Sequence, residues 1–487
     1  METATNPTPQ TLQPAPPALR RLGDLPGPAR VPVLGNVLQI KPASMHCQLE
    51  AWAHTYGHLF RIQLGRRKLL VVADHAIFSA ALRDRPERFC RPLLGGRIGR
   101  EMGFDQGLFF ANDDVWRRQR RMVMAGLDPG HIKAYFPSLL KVTRRLQTRW
   151  QAAAGSGSGI DLQADLMRFT VDAIAGLAFG ADVNTLSSDE DVIQQHLNKI
   201  FPAMSRRIFA VVPYWRYIRL PADRALDRSV AEVQTAVRGF IAEARRRLQA
   251  DPALREHPTN LLEAMINAAD QGDSGMDDHD VAGNVVTMLL AGEDTTANTL
   301  AWMIYLLKRN PQALERARDE VLRVAGDPSQ FTFDRMAGLD YLEACAHETM
   351  RLKPVAPLLA VQTVRDTTLA DVELPAGTVV MGLMRHDSLK DRHFPNATAV
   401  LPERWLGDGG PAQAASSAKR VSMPFGAGPR VCPGRYLALL EIKMAAAALL
   451  SGFEIDSVGP ASGTDVPEHL AFSMGPQGLR MRLRERG

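Results

Sequence analysis

Apolar residues recur along most of the chain at three- and four-residue steps, the spacing of amphipathic helices, as over Pro137 to Ala153, Val230 to Leu248, Leu261 to Ala269 and Tyr436 to Leu450. Stretches suited to strands are short and few: Leu59 to Leu64, Lys68 to Val72, Thr378 to Met384 and Leu479 to Leu483. The pattern predicts a mainly α fold with small β-sheets. Its longest helix spans Asp277 to Arg309, with Asp277, Asp278 and Asp280 at the positive end of the helix dipole and Asn310-Pro311 as the stop. The centre of that helix is polar where the surroundings are apolar: Ala291-Gly292-Glu293-Asp294-Thr295-Thr296. Two readings stay open from this window. The acids stand on a solvated face while the hydroxyls bond back one turn, or the helix opens locally at a polar reaction site.

Residues Met1 to Asp24 read as a flexible, Pro-rich leader with too few apolar side chains to offset chain entropy, and Gly155 to Gly159 and Gly407 to Ser417 read as loops. No segment supplies the roughly 18 uninterrupted apolar residues of a membrane span; the best, Tyr436 to Phe453, is broken by Glu441 and Lys443. With no signal-peptide pattern either, the expectation is a soluble, cytoplasmic protein without a transmembrane anchor. The 487 residues are 45% hydrophobic and 23% charged, which excludes collagenous, coiled-coil and wholly disordered classes. A net charge of +5, from 58 basic and 53 acidic residues, argues against a nucleic-acid partner. Cys47, Cys90, Cys345 and Cys432 lie far apart without a CxxC pair, against a disulfide framework or a structural zinc.

Cys432 differs from the other three. It sits in Met423-Pro424-Phe425-Gly426-Ala427-Gly428-Pro429-Arg430-Val431-Cys432-Pro433-Gly434-Arg435, whose three glycines and three prolines specify a tightly bent loop entering a helix. Backbone N–H groups and the dipole at a helix start favour a thiolate, and Arg430 adds positive charge. A thiol nucleophile would need a base, which a distant His would have to supply. A thiolate on haem iron needs none; it needs close backbone approach to a flat macrocycle and cations for the propionates.

Phe425-Gly-Ala-Gly428-Pro-Arg430-Val-Cys432-Pro-Gly434 resembles the FxxGxRxCxG haem-thiolate signature of the cytochrome P-450 superfamily at every fixed position. Further resemblances follow in the family's order: Trp116 and Arg120 to its WxxxR helix, Ala291 to Thr296 to its oxygen-activating helix, Glu348-Thr349-Met350-Arg351 to ExxR, Pro402-Glu403-Arg404-Trp405 to the PERF/PERW loop, and Leu25-Pro26-Gly27-Pro28 to the Pro-rich hinge. The resemblance implies the cytochrome P-450 fold, an α-rich domain with a long central helix plus a smaller β-rich region, in one haem-thiolate monooxygenase domain over residues 25–487. It implies heme b (iron protoporphyrin IX) held by the Cys432 thiolate, with Phe425, Gly426, Ala291 and Gly292 against the cofactor and Trp116, Arg120 and Arg430 on its propionates. By the same resemblance Gly292 leaves room for oxygen, Asp294 relays protons, Thr295 positions water or oxygen, Glu293 fills a variable slot, and Glu348, Arg351 and Arg404 lock the cysteine loop. One departure stands out: where the family commonly carries a propionate-binding Arg ahead of an Asp, this chain has Val361-Gln362 ahead of Asp366. The same resemblance places the substrate against Phe109, Leu358, Leu359 and Phe472, and leaves Phe201 to Leu220 as a stretch that either packs or touches a membrane surface.

The implied activity is oxidoreductase chemistry in a soluble, bacterial-type enzyme: insertion of one atom of O2 into a small apolar substrate, by hydroxylation or epoxidation. Absence of a dinucleotide fingerprint and of an iron–sulfur cysteine cluster points to a separate electron donor, a ferredoxin or flavodoxin with its NAD(P)H reductase. The cations expected to receive it are Arg117, Arg118, Arg121, Lys419, Arg420 and Lys443. A peroxide-driven peroxygenase on the same fold, a non-catalytic haem sensor or carrier, and a haem-free thiol enzyme are the alternatives. Retention of the Asp294-Thr295 pair argues against the first two, since neither needs a proton relay.

Overall fold

The computed structural model describes residues 18–105, 107–187, 192–210, 212–406, 418–460 and 462–486. The expected loop Gly407 to Ser417 and residues 1–17 of the expected leader lie outside them. The first part of the chain runs through β1 (Arg20–Arg21), α1 (Met45–Tyr56), β2 (Leu59–Leu64), β3 (Arg67–Val72), α2 (His75–Arg83), β4 (Phe89–Cys90), α3 (Asp113–Gly126), α4 (Pro129–Ser156), α5 (Leu162–Phe179), α6 (Val192–Phe209), α7 (Pro221–Ala250) and α8 (Leu261–Ala269). It continues through α9 (Asp278–Lys308), α10 (Asp340–Leu352), β5 (Leu358–Thr363), β6 (Val372–Leu374), β7 (Val379–Leu383), α11 (Arg435–Gly452), β8 (Phe453–Gly459), β9 (Glu468–Leu470), β10 (Met474–Pro476) and β11 (Arg480–Glu485).

Helix α9 is the axis of the molecule. Asp277 caps it, its side chain accepting from the amides of His279 and Asp280. From Thr296 to Leu307 nearly every residue is buried, as expected of a helix enclosed by others. It runs unbroken through Gly292 and Thr295, so the local opening considered for its polar centre does not occur. Gly292 has a packing reason instead: a Cβ there would lie 2.5 Å from Ile174 of α5. Gly292 also stands in the cavity wall, on the side where the resemblance leaves room for oxygen. The apolar core has a large cluster around the C-terminal half of α9 with α4, α10 and α11, and a second around its N-terminal half with α3, α7 and α8.

Two helices start earlier than their apolar periodicity suggests. Asp128 caps α4 and Pro129 takes its first position, so the helix passes through Pro137 rather than beginning there. Pro221 does the same for α7, nine residues before Val230.

The main sheet has the order β2-β3-β7-β5-β4, with β3 and β7 parallel and the other pairs antiparallel. The expected loose leader ends sooner than Asp24. Arg20 and Arg21 pair with Val372 and Glu373 of β6, Arg20 bridges Asp371 at 2.7 Å, and Leu22 and Leu25 are buried in the sheet's core. Those two leucines supply the apolar burial that ties residues 20–25 to the fold.

Candidate active site

A cavity of about 1280 Å³ lies where these layers meet, lined by α9, the 423–434 loop, β5 and the turn between β9 and β10. Cys432 is in its wall as the loop enters α11. The loop is shaped by left-handed glycines: Gly426 at φ +77° and Gly428 at φ +71°. A Cβ on Gly428 would lie 2.5 Å from the Leu82 carbonyl oxygen of α2, so this position needs glycine for close approach as well as conformation. Gly426 and Gly434 instead face open space, where a Cβ would intrude on the cavity wall. Burial pushes the Cys432 thiol up, opposed by the Gly434 backbone N–H and by the charges of Arg120 and Arg435. A bound metal cation would tip that balance to the thiolate.

Cations ring the same cavity. Arg85, Arg91, Arg120 and Arg430 all line it. Burial pushes Arg85 and Arg430 down to about 9, and each is lowered further by the charge of Arg91. Burial alone brings Arg91 to about 10. Its Nε is buried without a hydrogen-bond partner among the described residues, while its guanidinium stacks 4.4 Å above the Phe109 ring. Mutually repelling guanidiniums at one cavity wall suit a ligand with carboxylates, and open glycines beside a thiol suit a flat one. This is the donor set a haem would use.

Arg91 and Arg85 escaped the motif reading. Cys90 pairs with Gln362 across β4 and β5, so Arg91 stands beside the position where an arginine was expected and absent. Gln362 itself is engaged with backbone: its Oε1 accepts from the Leu93 amide and its Nε2 donates to the Gly377 carbonyl. Arg365 is exposed. Of the residues the motifs did indicate, Arg120 donates to the Val431 carbonyl at 2.9 Å, and Arg430 lies 4.7 Å over the Trp116 ring and donates to Ala111 and Asn112. They brace the cysteine loop against α3.

On α9, Ala291, Gly292, Thr295 and Thr296 face the cavity. The Thr295 hydroxyl donates to the Ala291 carbonyl at 2.8 Å, which leaves its oxygen free to accept from a cavity ligand. Neither acid stands on a solvated face. Glu293 is buried, and Asp294 turns to the β9–β10 turn, where Ser473 and Asn298 hydrogen-bond it. Burial pushes the Asp294 carboxyl up, and hydrogen bonds from the Ser473 hydroxyl, the Asn298 amide and the Ser473 backbone N–H pull it back. A further acid lines the cavity unannounced by any motif match: Glu441 of α11, fully enclosed, is pushed up to about 8 by burial against a hydrogen bond from Thr296.

Glu348 and Arg351 form a bidentate pair at 2.8 Å with no exposed side-chain surface. Arg351 also donates to the carbonyls of Ser388, Ala397 and Ala399. It is Glu348, not Arg351, that meets the 402–405 turn, accepting from Trp405 Nε1 at 2.9 Å and lying 3.4 Å from Arg404. The neighbouring His347 stacks on Trp405 and meets the Phe425 ring edge-on, which carries this cluster to the cysteine loop.

Phe109, Leu358, Leu359 and Phe472 line the cavity together, Phe109 and Phe472 with ring centroids 5.6 Å apart. Outside it, Arg117, Arg121, Lys419 and Arg420 are exposed and Arg118 is half-buried. Lys443 is buried and bound to Glu343 at 2.9 Å, so it drops out of the expected docking set. Tyr217 and Ile218 are exposed and Trp215 is buried, while the Phe201 side chain lies outside the described residues. Among the described residues no helix is long and apolar enough to cross a membrane.

The family model for cytochrome P450 matches residues 25–482. The chain is similar to the self-sufficient cytochrome P450 monooxygenase CYP505AG1 of Oidiodendron maius, 28% identical over 467 residues that cover 94% of this chain and 42% of that protein. It is also similar to the chloroplastic protein LUTEIN DEFICIENT 5 of Arabidopsis thaliana, 26% identical over 429 residues covering 86% and 71%. A third relative, the self-sufficient cytochrome P450 monooxygenase CYP505E5 of Aspergillus niger, is 28% identical over 465 residues covering 94% and 43%. The chain spans less than half the length of the self-sufficient relatives.

Proposed function

The chain belongs to the cytochrome P450 family, whose cofactor is a thiolate-bound haem, and from that premise we propose that it inserts one atom of O2 into a small apolar substrate with Cys432 as the thiolate. Haem iron, when bound, supplies the activation of dioxygen. The remaining roles fall to this chain's own side chains. Arg85, Arg91, Arg120 and Arg430 bind the anionic edge of the cofactor. Phe109, Leu358, Leu359 and Phe472 hold the substrate and exclude water. Thr295, its hydrogen given to Ala291, holds a water at the reaction site as acceptor, and Asp294 carries protons toward it. The observation that carries the reading is the meeting of Cys432, Thr295, Arg85, Arg91, Arg120 and Arg430 on one cavity.

Electrons come, in this proposal, from a separate ferredoxin or flavodoxin docking on the exposed cations Arg117, Arg121, Lys419 and Arg420. The names of the self-sufficient relatives make an attached donor the competing arrangement. Reductant consumption by this chain with and without an added ferredoxin–reductase pair separates the two. For the central claim, the reduced, carbon monoxide-bound spectrum is compared between the parent and Cys432→Ala, alongside incorporation of label from ¹⁸O2. Thiolate-type absorption and oxygen insertion are expected in the parent only; their survival in Cys432→Ala would place the ligand elsewhere. Variants of Cys47, Cys90 and Cys345 retain both.

A further inference from the structure

Asp294 is held by a closed set of uncharged partners. Asn298 Nδ2 donates to Asp294 Oδ1 at 2.8 Å and to Ser473 Oγ at 3.0 Å, and Ser473 Oγ donates to Asp294 Oδ2. The orientation of the Asn298 amide is fixed from behind, because its Oδ1 accepts from Gln163 Nε2 at 3.1 Å. Both carboxylate oxygens therefore act as acceptors, and these donors favour the ionised form over the protonated one. Asn298 cannot turn without losing Gln163. Ser473, which reaches Asp294 through both its hydroxyl and its backbone N–H, is the partner on a separate element.

Ser473 belongs to the turn between β9 and β10, next to Phe472, whose ring packs on Phe109 inside the cavity. Both Phe472 and Ser473 are in the cavity wall. The base of this hairpin is pinned, since Glu468 bridges His46 at 2.8 Å and Lys353 and Arg385 at 2.6 Å. Its second strand approaches α9 so closely that a Cβ on Gly475 would lie 2.3 Å from Asn298 Oδ1. Phe472 and Ser473 form the turn itself, held on either side by Ser205 Oγ on the Ala471 carbonyl and by the Met474 amide on the Val355 carbonyl, so a ligand pressing on Phe472 bears on the residue next to Ser473.

We propose that Ser473 is a positioning residue that holds Asp294 as an acceptor and releases it when a ligand fills the cavity against Phe472, so that occupancy gates the acid serving Thr295. The proposal rests on the reading of Asp294 as the proton carrier. The groups facing that carboxylate are Ser473 from the hairpin, Asn298 from its own helix and, behind Asn298, Gln163 of α5; among the described residues no charged group shifts it. Loss of the Ser473 bond leaves burial less opposed and favours the protonated form.

Infrared spectroscopy of the ferric holoenzyme reads this directly, with Asp294→Asn identifying the carboxylic acid band. Ser473→Ala is expected to raise the pH midpoint of that band by about one unit or more, and Ser473→Thr to restore it. Gly475→Ala, which crowds the Asn298 amide, is expected to raise the midpoint as well. In the parent, saturating 4-phenylimidazole, followed by its Soret shift, raises the midpoint in the same direction. Phe472→Ala abolishes that ligand-induced rise while the Soret shift persists. A midpoint unmoved by Ser473→Ala, or by the ligand in the parent, overturns the gate. If the midpoints move as expected but Asp294→Asn turns over at the parent rate, the clamp stands and the proton role falls. If Asp294→Asn is slow but Ser473→Ala moves no midpoint, the proton role stands and the gate falls.

Discussion

Arg91 stands one residue beyond Cys90, the strand partner of Gln362, and so places a guanidinium at the cavity wall where Gln362 offers only an amide already engaged with backbone. The charge that the motif reading found missing is supplied from the adjacent strand.

Arg91→Gln is accordingly expected to weaken cofactor retention, because a charge-assisted bond to a buried anion contributes about 1.5 to 3 kcal/mol. Transfer of haem to apomyoglobin, followed by absorbance, should run roughly tenfold faster or more than in the parent. Gln362→Ala should alter that rate little. The reverse ranking would return the role to Gln362.

How much was legible beforehand follows the range of the interactions. The mainly α class, the span of α9 and the loop around Cys432 are written in local spacing, capping and glycine content, and all three stand. Arg85 and Arg91 were not legible, because pairing of β4 with β5 and the turn after α2 bring them to the cavity from far along the chain. Lys443 was misread as a docking charge since nothing nearby in sequence reveals Glu343, its partner 100 positions away. The close contact of Gly292 with Ile174 on another helix has no local signal in the sequence. Ser473 carries no pattern of its own; only the hairpin's approach to Asn298 gives it a role.

Asp294 and Thr295 separate by what each controls. If Thr295 holds water as proposed, Thr295→Ala removes that acceptor, so reductant consumption should continue while product per reductant falls and peroxide rises. Asp294→Asn keeps the shape but cannot carry a proton, so the whole turnover slows by about tenfold or more, the lower range of a lost general acid. Stoichiometry of reductant, product and peroxide in the two variants checks the distinction. Identical behaviour would remove the division of labour.

Glu348 is a stability residue. Glu348→Ala would leave the Arg351 guanidinium buried with its charge uncompensated, and breaking such a pair costs about 3 to 5 kcal/mol. It would also free Trp405, which stacks on His347, which in turn meets Phe425. Urea unfolding should show a large loss of stability, with haem content falling at denaturant levels the parent tolerates. Glu348→Gln, which keeps an acceptor, should lie between the two.

Glu441 ties stability to pH. Its carboxyl, pushed up to about 8 from 4.5 by burial, binds a proton in the folded state that the unfolded chain has already released. The folded state therefore holds more protons between those two values, and stability falls as pH rises through the window, by up to about 1.4 kcal/mol per unit. Glu441→Gln removes this contribution. Melting temperature measured from pH 5 to pH 8 should decline less steeply in the variant than in the parent, and parallel curves would show that Glu441 is ionised in the fold throughout.

The exposed cations beside the cysteine loop make the electron-transfer proposal testable without knowing the substrate. Arg121, Lys419 and Arg420 carry no ion pair among the described residues, whereas Arg117 is paired with Asp114 and Lys443 with Glu343. The unpaired three dominate the field an acidic donor meets, so Arg121→Glu with Arg420→Glu should slow haem reduction by ferredoxin more than Arg117→Glu does. Raising ionic strength shortens the screening length from about 10 Å at 0.1 M to about 3 Å at 1 M, and the parent's association rate should fall accordingly. The doubly reversed variant should start slow and lose its salt dependence, while the Soret shift with 4-phenylimidazole stays at the parent's midpoint. Stopped-flow reduction insensitive to both salt and these reversals, with every acidic donor tried, would move the docking face away from the loop that carries Cys432.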